Sequence, residues 1–183
     1  MHPHVPRQPA REQGVRRAQN DARLSAELAA VVAGARRRAV RDGDRQIDTA
    51  HLLHSLLESD PEVRAALGEA AQIARLLGYL VQRSIGYGLR WQSGVEDSGS
   101  VPVVTEGAGL SPLAAACMAD ACARAARRGP GPARGVDLLA AIVAEPQARA
   151  VEVLGRAGVD ARAVLERCAD RSRECVAGGD GRS

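Results

Sequence analysis

The chain has 183 residues, 45% of them hydrophobic and 26% charged, which is enough apolar material for one helical core or two small units packed closely together. Aromatic residues make up only 2% and Phe is absent, so the core must be built from Ala, Leu, Val and Ile; this excludes an aromatic-rich β-sandwich and favours helices at close range. The formal charge is +3 with every basic residue an Arg, and acidic residues are interleaved with them while stacking groups are scarce, which argues against single-stranded nucleic acid as the ligand.

Residues 1–22 are rich in Pro, Arg and Gln and carry almost no apolar periodicity, the pattern of a disordered arm. His2 and His4 lie in it, but two ligands do not make a structural zinc site. Residues 23–84 follow as a first helical unit. Leu24, Leu28, Val31, Val32 and Ala35 share one side of a helix that Ser25 can cap, and Arg36, Arg37, Arg38 and Arg41 cluster toward its negative end before a stop at Gly43. The segment IDTAHLLHSLL (47–57) opens with Asp48 or Thr49 as a cap and sets Leu52, Leu53, Leu56 and Leu57 on one broad face, so it reads as a buried helix. Asp60-Pro61 starts a short helix ending at Leu67. A fourth helix is expected over about 69–84 with Ile73, Leu76, Leu77, Leu80 and Val81 inward. His51 and His54 stand at i and i+3, yet no Cys or carboxylate set near them completes a ligand shell, so they are assigned as structural or exposed and no metal ligand is named.

Residues 85–109 break the pattern with Gly and Ser and form a linker. Tyr87 and Trp91 are expected to dock back on the helices and VPVV (101–104) to be a short extended piece. Gly86-x-Gly88 lacks the helix and Lys of a phosphate loop. Residues 110–174 form the second unit, opening on Ser111-Pro112, with helices expected at about 111–128, 136–144, 147–156 and 159–173. Residues 175–183 form a disordered tail. Cys117, Cys122, Cys168 and Cys175 include no C-x-x-C pair, and neither a secretory apolar region nor a membrane-spanning run occurs. The expectation is reduced thiols, no membrane and a cytoplasmic location, with Cys117 and Cys122 as small core residues.

The two units are related. Residues 25–57 lie over residues 111–143 without a gap: Ser25 falls on Ser111, Gly43 on Gly129, Leu52-Leu53 on Leu138-Leu139, and the end of ARRRAVRDG (35–43) on AARRG (125–129). After a small insertion RAALG (64–68) meets VEVLG (151–155). The spacing predicts an all-α fold of two pseudo-symmetric four-helix repeats joined by a Gly/Ser-rich linker.

Each unit has a hydroxyl-capped first helix rich in Ala and Arg, a Gly-containing connection, a second helix with a Leu-Leu pair (Thr-x-His-Leu-Leu in the first copy), and a small third helix ending in Leu-Gly. In this the chain resembles the repeated N-terminal domain of Clp ATPases of the ClpA/ClpC type, from about Leu24 to about Arg173, here as a stand-alone unit without the ATPase modules. The second copy keeps less of the pattern, since GPGPARGVDLL (129–139) retains only the Gly and the Leu-Leu.

The resemblance implies a non-catalytic module that binds proteins or peptides and modulates a Clp chaperone–protease, as substrate receptor, adaptor site or decoy. Its partners would be the Clp ATPase, its substrates or adaptors, and cyclic-peptide ligands. No cofactor is implied, and the chain has neither a phosphate loop nor a nucleophile elbow. The alternative is a nucleic-acid-associated accessory protein using the Arg-rich arm and helix ends. By the resemblance, the partner-binding positions are Ser25 with Ala50 and Ser111 with Val136, where relatives that bind phosphoarginine carry a hydroxyl and a Glu, together with Leu110 and Ala115 of the cyclic-peptide pocket, where relatives carry an aromatic and a Lys. Methyl and isopropyl groups cannot accept hydrogen bonds from a guanidinium, so phosphoarginine binding should be weak or lost, with Ser25 and Ser111 acting mainly as helix caps.

Overall fold

A computed structural model describes residues 23–84, 96 and 109–177. The expectations for the arm, for His2 and His4, for Tyr87, Trp91 and VPVV, and for the last residues of the tail lie outside the described residues. The regular secondary structure described is all helical: α1 (Ala26–Asp42), α2 (Thr49–Ser59), α3 (Pro61–Leu67), α4 (Ala70–Ser84), α5 (Pro112–Arg128), α6 (Gly135–Val143), α7 (Arg149–Arg156) and α8 (Ala161–Ala177).

Local chemistry accounts for these boundaries. Ser25 Oγ accepts from Leu28 N at 3.1 Å and Ser111 Oγ from Ala114 N at 3.1 Å, so both first helices begin on a hydroxyl cap. Asp48, one of the two residues the sequence offered, caps α2: its Oδ1 accepts from His51 N at 2.9 Å. Asp60 Oδ1 accepts from Glu62 N and Val63 N at the start of α3, where Pro61 has no N–H to satisfy. Gly43 ends α1 in the left-handed region at φ 75°. Gly43 N donates to Val40 O and Asp44 N to Ala39 O, a pairing that turns the chain sharply back on itself.

The central pair is α2 and α6. Every residue from Thr49 to Leu57 and every residue of α6 is buried. Leu52, Leu53, Leu56, Leu57, Leu138, Leu139 and Ile142 are the largest side chains of the core there. Helix α1 packs on α2 and α5 on α6. The short helices lie across the halves: α3 packs on α6 and α8, and α7 on α2 and α4. Close approach needs Gly135, where a Cβ would stand 2.0 Å from Asp60 Oδ2 and 3.1 Å from Leu56 Cδ2. Two isolated parallel bridges join the segments before the helices, Leu24 to Ala133 and Ile47 to Leu110. Ser25 N donates to Ala133 O and Ala133 N to Arg23 O; likewise Ser111 N donates to Ile47 O and Ile47 N to Gly109 O, all at 2.8–2.9 Å.

Cys117 and Cys168 are buried, and Cys122 is half-buried against the core; all three are free thiols. Burial, reinforced by Glu145, pushes the Cys117 thiol up to about 12. Burial likewise raises Cys168 to about 11 against the opposing charges of Arg167 and Arg171.

Candidate functional site

Asp48, Thr49, Arg83, Glu96 and Ser111, all buried polar groups, converge near the starts of α2, α5 and α7. Helix starts carry unpaired N–H groups and the positive end of the dipole, so an acidic side chain is the natural partner. Here that side chain is Glu96, which is 5% exposed. Its Oε2 accepts from Thr49 N at 2.8 Å and from Ser111 Oγ at 2.9 Å; its Oε1 accepts from Arg149 N at 2.8 Å and from the Thr49 hydroxyl. The Thr49 hydroxyl in turn accepts from Ala150 N at 3.1 Å. Both carboxyl oxygens therefore receive donors only, the pattern of an ionised group.

A second carboxylate stands beside the first. Asp48 Oδ2 receives Arg149 Nη1 at 2.9 Å and the Arg83 guanidinium from the end of α4, while Asp48 N donates to His51 Nδ1 at 3.1 Å. Burial pushes the Asp48 carboxyl upward, but the His51 hydrogen bond and the Arg83 charge outweigh it and hold the group well below the usual carboxylate range. Arg149 thus touches Glu96 through its main chain and Asp48 through its side chain, locking α7 onto α2.

His51 and His54 part company. His54 Nε2 faces Glu58 Oε1 at 3.5 Å, and burial followed by the charge of Arg38 lowers its pKa to about 4. His51 is 1% exposed, with Nε2 3.0 Å from Asp44 Oδ2 and 3.8 Å from Asp42 Oδ2. The expectation that no carboxylate set accompanies the histidines is corrected here. The turn at Gly43 brings the two aspartates that flank it against α2, a proximity that spacing along the helix does not reveal.

The positions named from the resemblance are dispersed. Ser111, Ala50 and Val136 are fully buried, Ser25 and Leu110 half-buried, and Ala115 exposed. Ser111 is brought to the start of α2, three residues from Ala50, and its hydroxyl donates to Glu96. Ser25 is brought instead to Ala133, ahead of α6 and Val136. The segment carrying each hydroxyl is therefore bonded to the segment ahead of the apolar position of the other overlay copy. Sequence reasoning missed Glu96, Arg83 and Arg149. An acid in a Gly/Ser-rich segment has no periodic signal, and only the three N–H-bearing helix starts, which need an acceptor, hinted that one was required.

No protein-family model matches the chain, and the search of curated proteins found no significant match. Among solved structures, one from preliminary structural investigations of a malarial protein secretion system is similar in fold, with a TM-score of 0.61 at 13% identity over 83% of this chain and 96% of that one.

Proposed function

We propose that the chain is a non-catalytic protein- or peptide-binding module of the Clp N-terminal-domain kind, built from two four-helix repeats. It acts on a cytoplasmic Clp chaperone–protease by engaging the ATPase, its substrates or its adaptors. The observation that carries the reading is the reciprocal main-chain exchange. The segment before α1 bonds to the segment before α6, and the segment before α5 bonds to the segment before α2, through residues that the ungapped overlay makes equivalent. Helices α1 and α5 occupy matching spans in that overlay. So do the contacts of Asp42 with His51, at 3.8 Å, and of Arg128 with Asp137, with the acidic partner on opposite helices.

On this reading the chain catalyses nothing itself, and its effect is exerted on a partner. The Ser111 hydroxyl is already engaged by the Glu96 carboxyl, and the Glu-equivalent positions Ala50 and Val136 are buried and apolar, which supports weak or lost phosphoarginine binding. Of the positions tied to cyclic-peptide ligands, Ala115 is exposed and Leu110 half-buried. Four of the described arginines, Arg124, Arg128, Arg134 and Arg156, lie on Asp120, Asp137, Glu62 and Glu152, which takes their charge away from the alternative nucleic-acid role.

Adding the purified chain to a reconstituted Clp ATPase–peptidase reaction tests the proposal. The rate of substrate degradation should change with its concentration, upward for delivery or downward for a decoy. The isolated chain should hydrolyse neither ATP nor peptide. Absence of any effect together with absence of binding to ATPase, substrate and adaptor would refute it, and binding to DNA that weakens steeply with salt would favour the alternative.

A further inference from the structure

Two aspartates and one imidazole nitrogen converge where α1 turns into α2. Asp42 ends α1, Gly43 takes φ 75°, and Asp44 follows, so both carboxylates face the start of α2. The side chain of Asp42 is 8% exposed and that of Asp44 32% exposed, while His51 lies behind them at 1%. One oxygen of each aspartate and one nitrogen of His51 lie within 4.8 Å of one another.

His51 Nε2 has no hydrogen-bond partner although it is buried; the Asp44 oxygen is 3.0 Å away but not aligned to receive a proton from it. The other nitrogen explains its orientation. Nδ1 lies against Asp48, 3.1 Å from its N–H and 2.9 Å from its Oδ1; when a cation takes Nε2 the ring proton sits on Nδ1, where Oδ1 is in reach to accept it in place of the contact with the Asp48 N–H. A carboxylate that orients a histidine through its far nitrogen is the usual support of a metal-ligating imidazole. In that form the Nε2 lone pair and one oxygen of each aspartate face a common point, where a cation would be met by three electron-rich atoms.

We propose that Asp42, Asp44 and His51 bind a divalent first-row transition cation of the zinc class. Imidazole nitrogen and carboxylate oxygen are ligands for such ions at about 2.0–2.2 Å, which puts neighbouring ligand atoms roughly 3.3 Å apart in a tetrahedral site. The contacts of 3.0 and 3.8 Å straddle that spacing, so shifts of a few tenths of an ångström close the shell around the ion and leave one position for water. The imidazole selects against magnesium and calcium, which prefer oxygen alone. The nearby cations set the affinity. Arg83 lies 3.6 Å from Asp44 Oδ2 and is chiefly engaged by Asp48, and Arg41 lies 3.4 Å from Asp42 Oδ1 at the surface. Their positive charge opposes that of the ion and lowers its affinity. The ion would fasten the end of α1 to the start of α2.

Calorimetric titration of the EDTA-treated full chain with zinc, and its absorption spectrum with cobalt(II), test the proposal. One saturable site is expected, with cobalt bands of a nitrogen- and oxygen-ligated ion. Asp44→Asn, at a part-exposed position that should not disturb folding, weakens binding at least tenfold. Asp42→Asn does the same, circular dichroism confirming that both variants are folded, and His2→Ala/His4→Ala leaves it unchanged. No saturable binding, or binding that survives Asp44→Asn and Asp42→Asn, overturns the assignment.

Discussion

Replacing Glu96 tests whether its carboxyl holds α2, α5 and α7 together. Glu96→Ala removes the acceptor of two main-chain N–H groups and two hydroxyls, three of the bonds buried and that to Arg149 N part-buried. Hydrogen bonds to a charged group contribute about 1.5–3 kcal/mol each, so four of them set a gross figure of at least roughly 6 kcal/mol. The serine and threonine hydroxyls can turn elsewhere and water can enter the space left, which brings the expected loss to about 3–5 kcal/mol, the range for breaking one partner out of a buried charged network. Glu96→Gln should cost less, about 1–3 kcal/mol, because the amide keeps one acceptor oxygen but sets an NH₂ against donors. Urea unfolding of the full chain followed by far-ultraviolet circular dichroism measures both, and amide exchange gives the local readout. Exchange at Thr49 and Arg149 should accelerate in Glu96→Ala, while amides in the middle of α6 follow only the global stability. A loss below about 0.5 kcal/mol for Glu96→Ala, with Thr49 and Arg149 exchanging as in the parent, would refute the reasoning.

Leu53 and Leu139, which the ungapped overlay pairs, are fully buried in α2 and α6, and Leu→Ala at either should cost roughly 2–5 kcal/mol in the same denaturation assay; losses below about 0.5 kcal/mol at both would remove the basis for treating the two helices as copies. His54, held to about 4 in the folded chain against an ordinary value near 6.5, binds fewer protons folded than unfolded between those limits, so stability should fall as pH drops from about 6.5 to 4. The contribution is on the order of 1–3 kcal/mol, and His54→Gln should flatten that part of the stability–pH curve relative to the parent; an unchanged slope would discount His54 as its source. Cys117 and Cys168, with thiols raised to about 12 and 11, should resist alkylation at pH 8 in the folded chain and react fully in urea, as counted by mass spectrometry; rapid native labelling of either would contradict the burial described.

Helices and their ends were legible because they depend on chemistry within three or four residues. Ser25 and Ser111 bond to the third N–H beyond themselves, Gly43 supplies the left-handed stop, Pro61 and Pro112 start helices, and the Leu pairs of α2 and α6 mark one apolar face each. The expected ends differ from those observed by a few residues at most, the largest difference being α8, which runs on to Ala177 in place of about 173. Partner choice among charged groups was another matter. Residue type made Arg83, Arg149 and Glu96 resemble surface residues, as single ionised side chains usually are, and no pattern within their own segments marked them as buried.

By itself the sequence determined that this chain is helical, where its helices begin and end, and which faces turn inward, since a cap or a 3.6-residue apolar stripe works the same way in any surroundings. Only the tertiary structure decided that α3 and α7 cross to the opposite halves, that Ser111 meets the start of α2, that Asp42 and Asp44 close on His51, and that Glu96 joins three helix starts. Those outcomes require groups far apart in the chain to be dehydrated together, and whether a buried charge is tolerated depends on the partners that arrive from elsewhere, which no local pattern encodes.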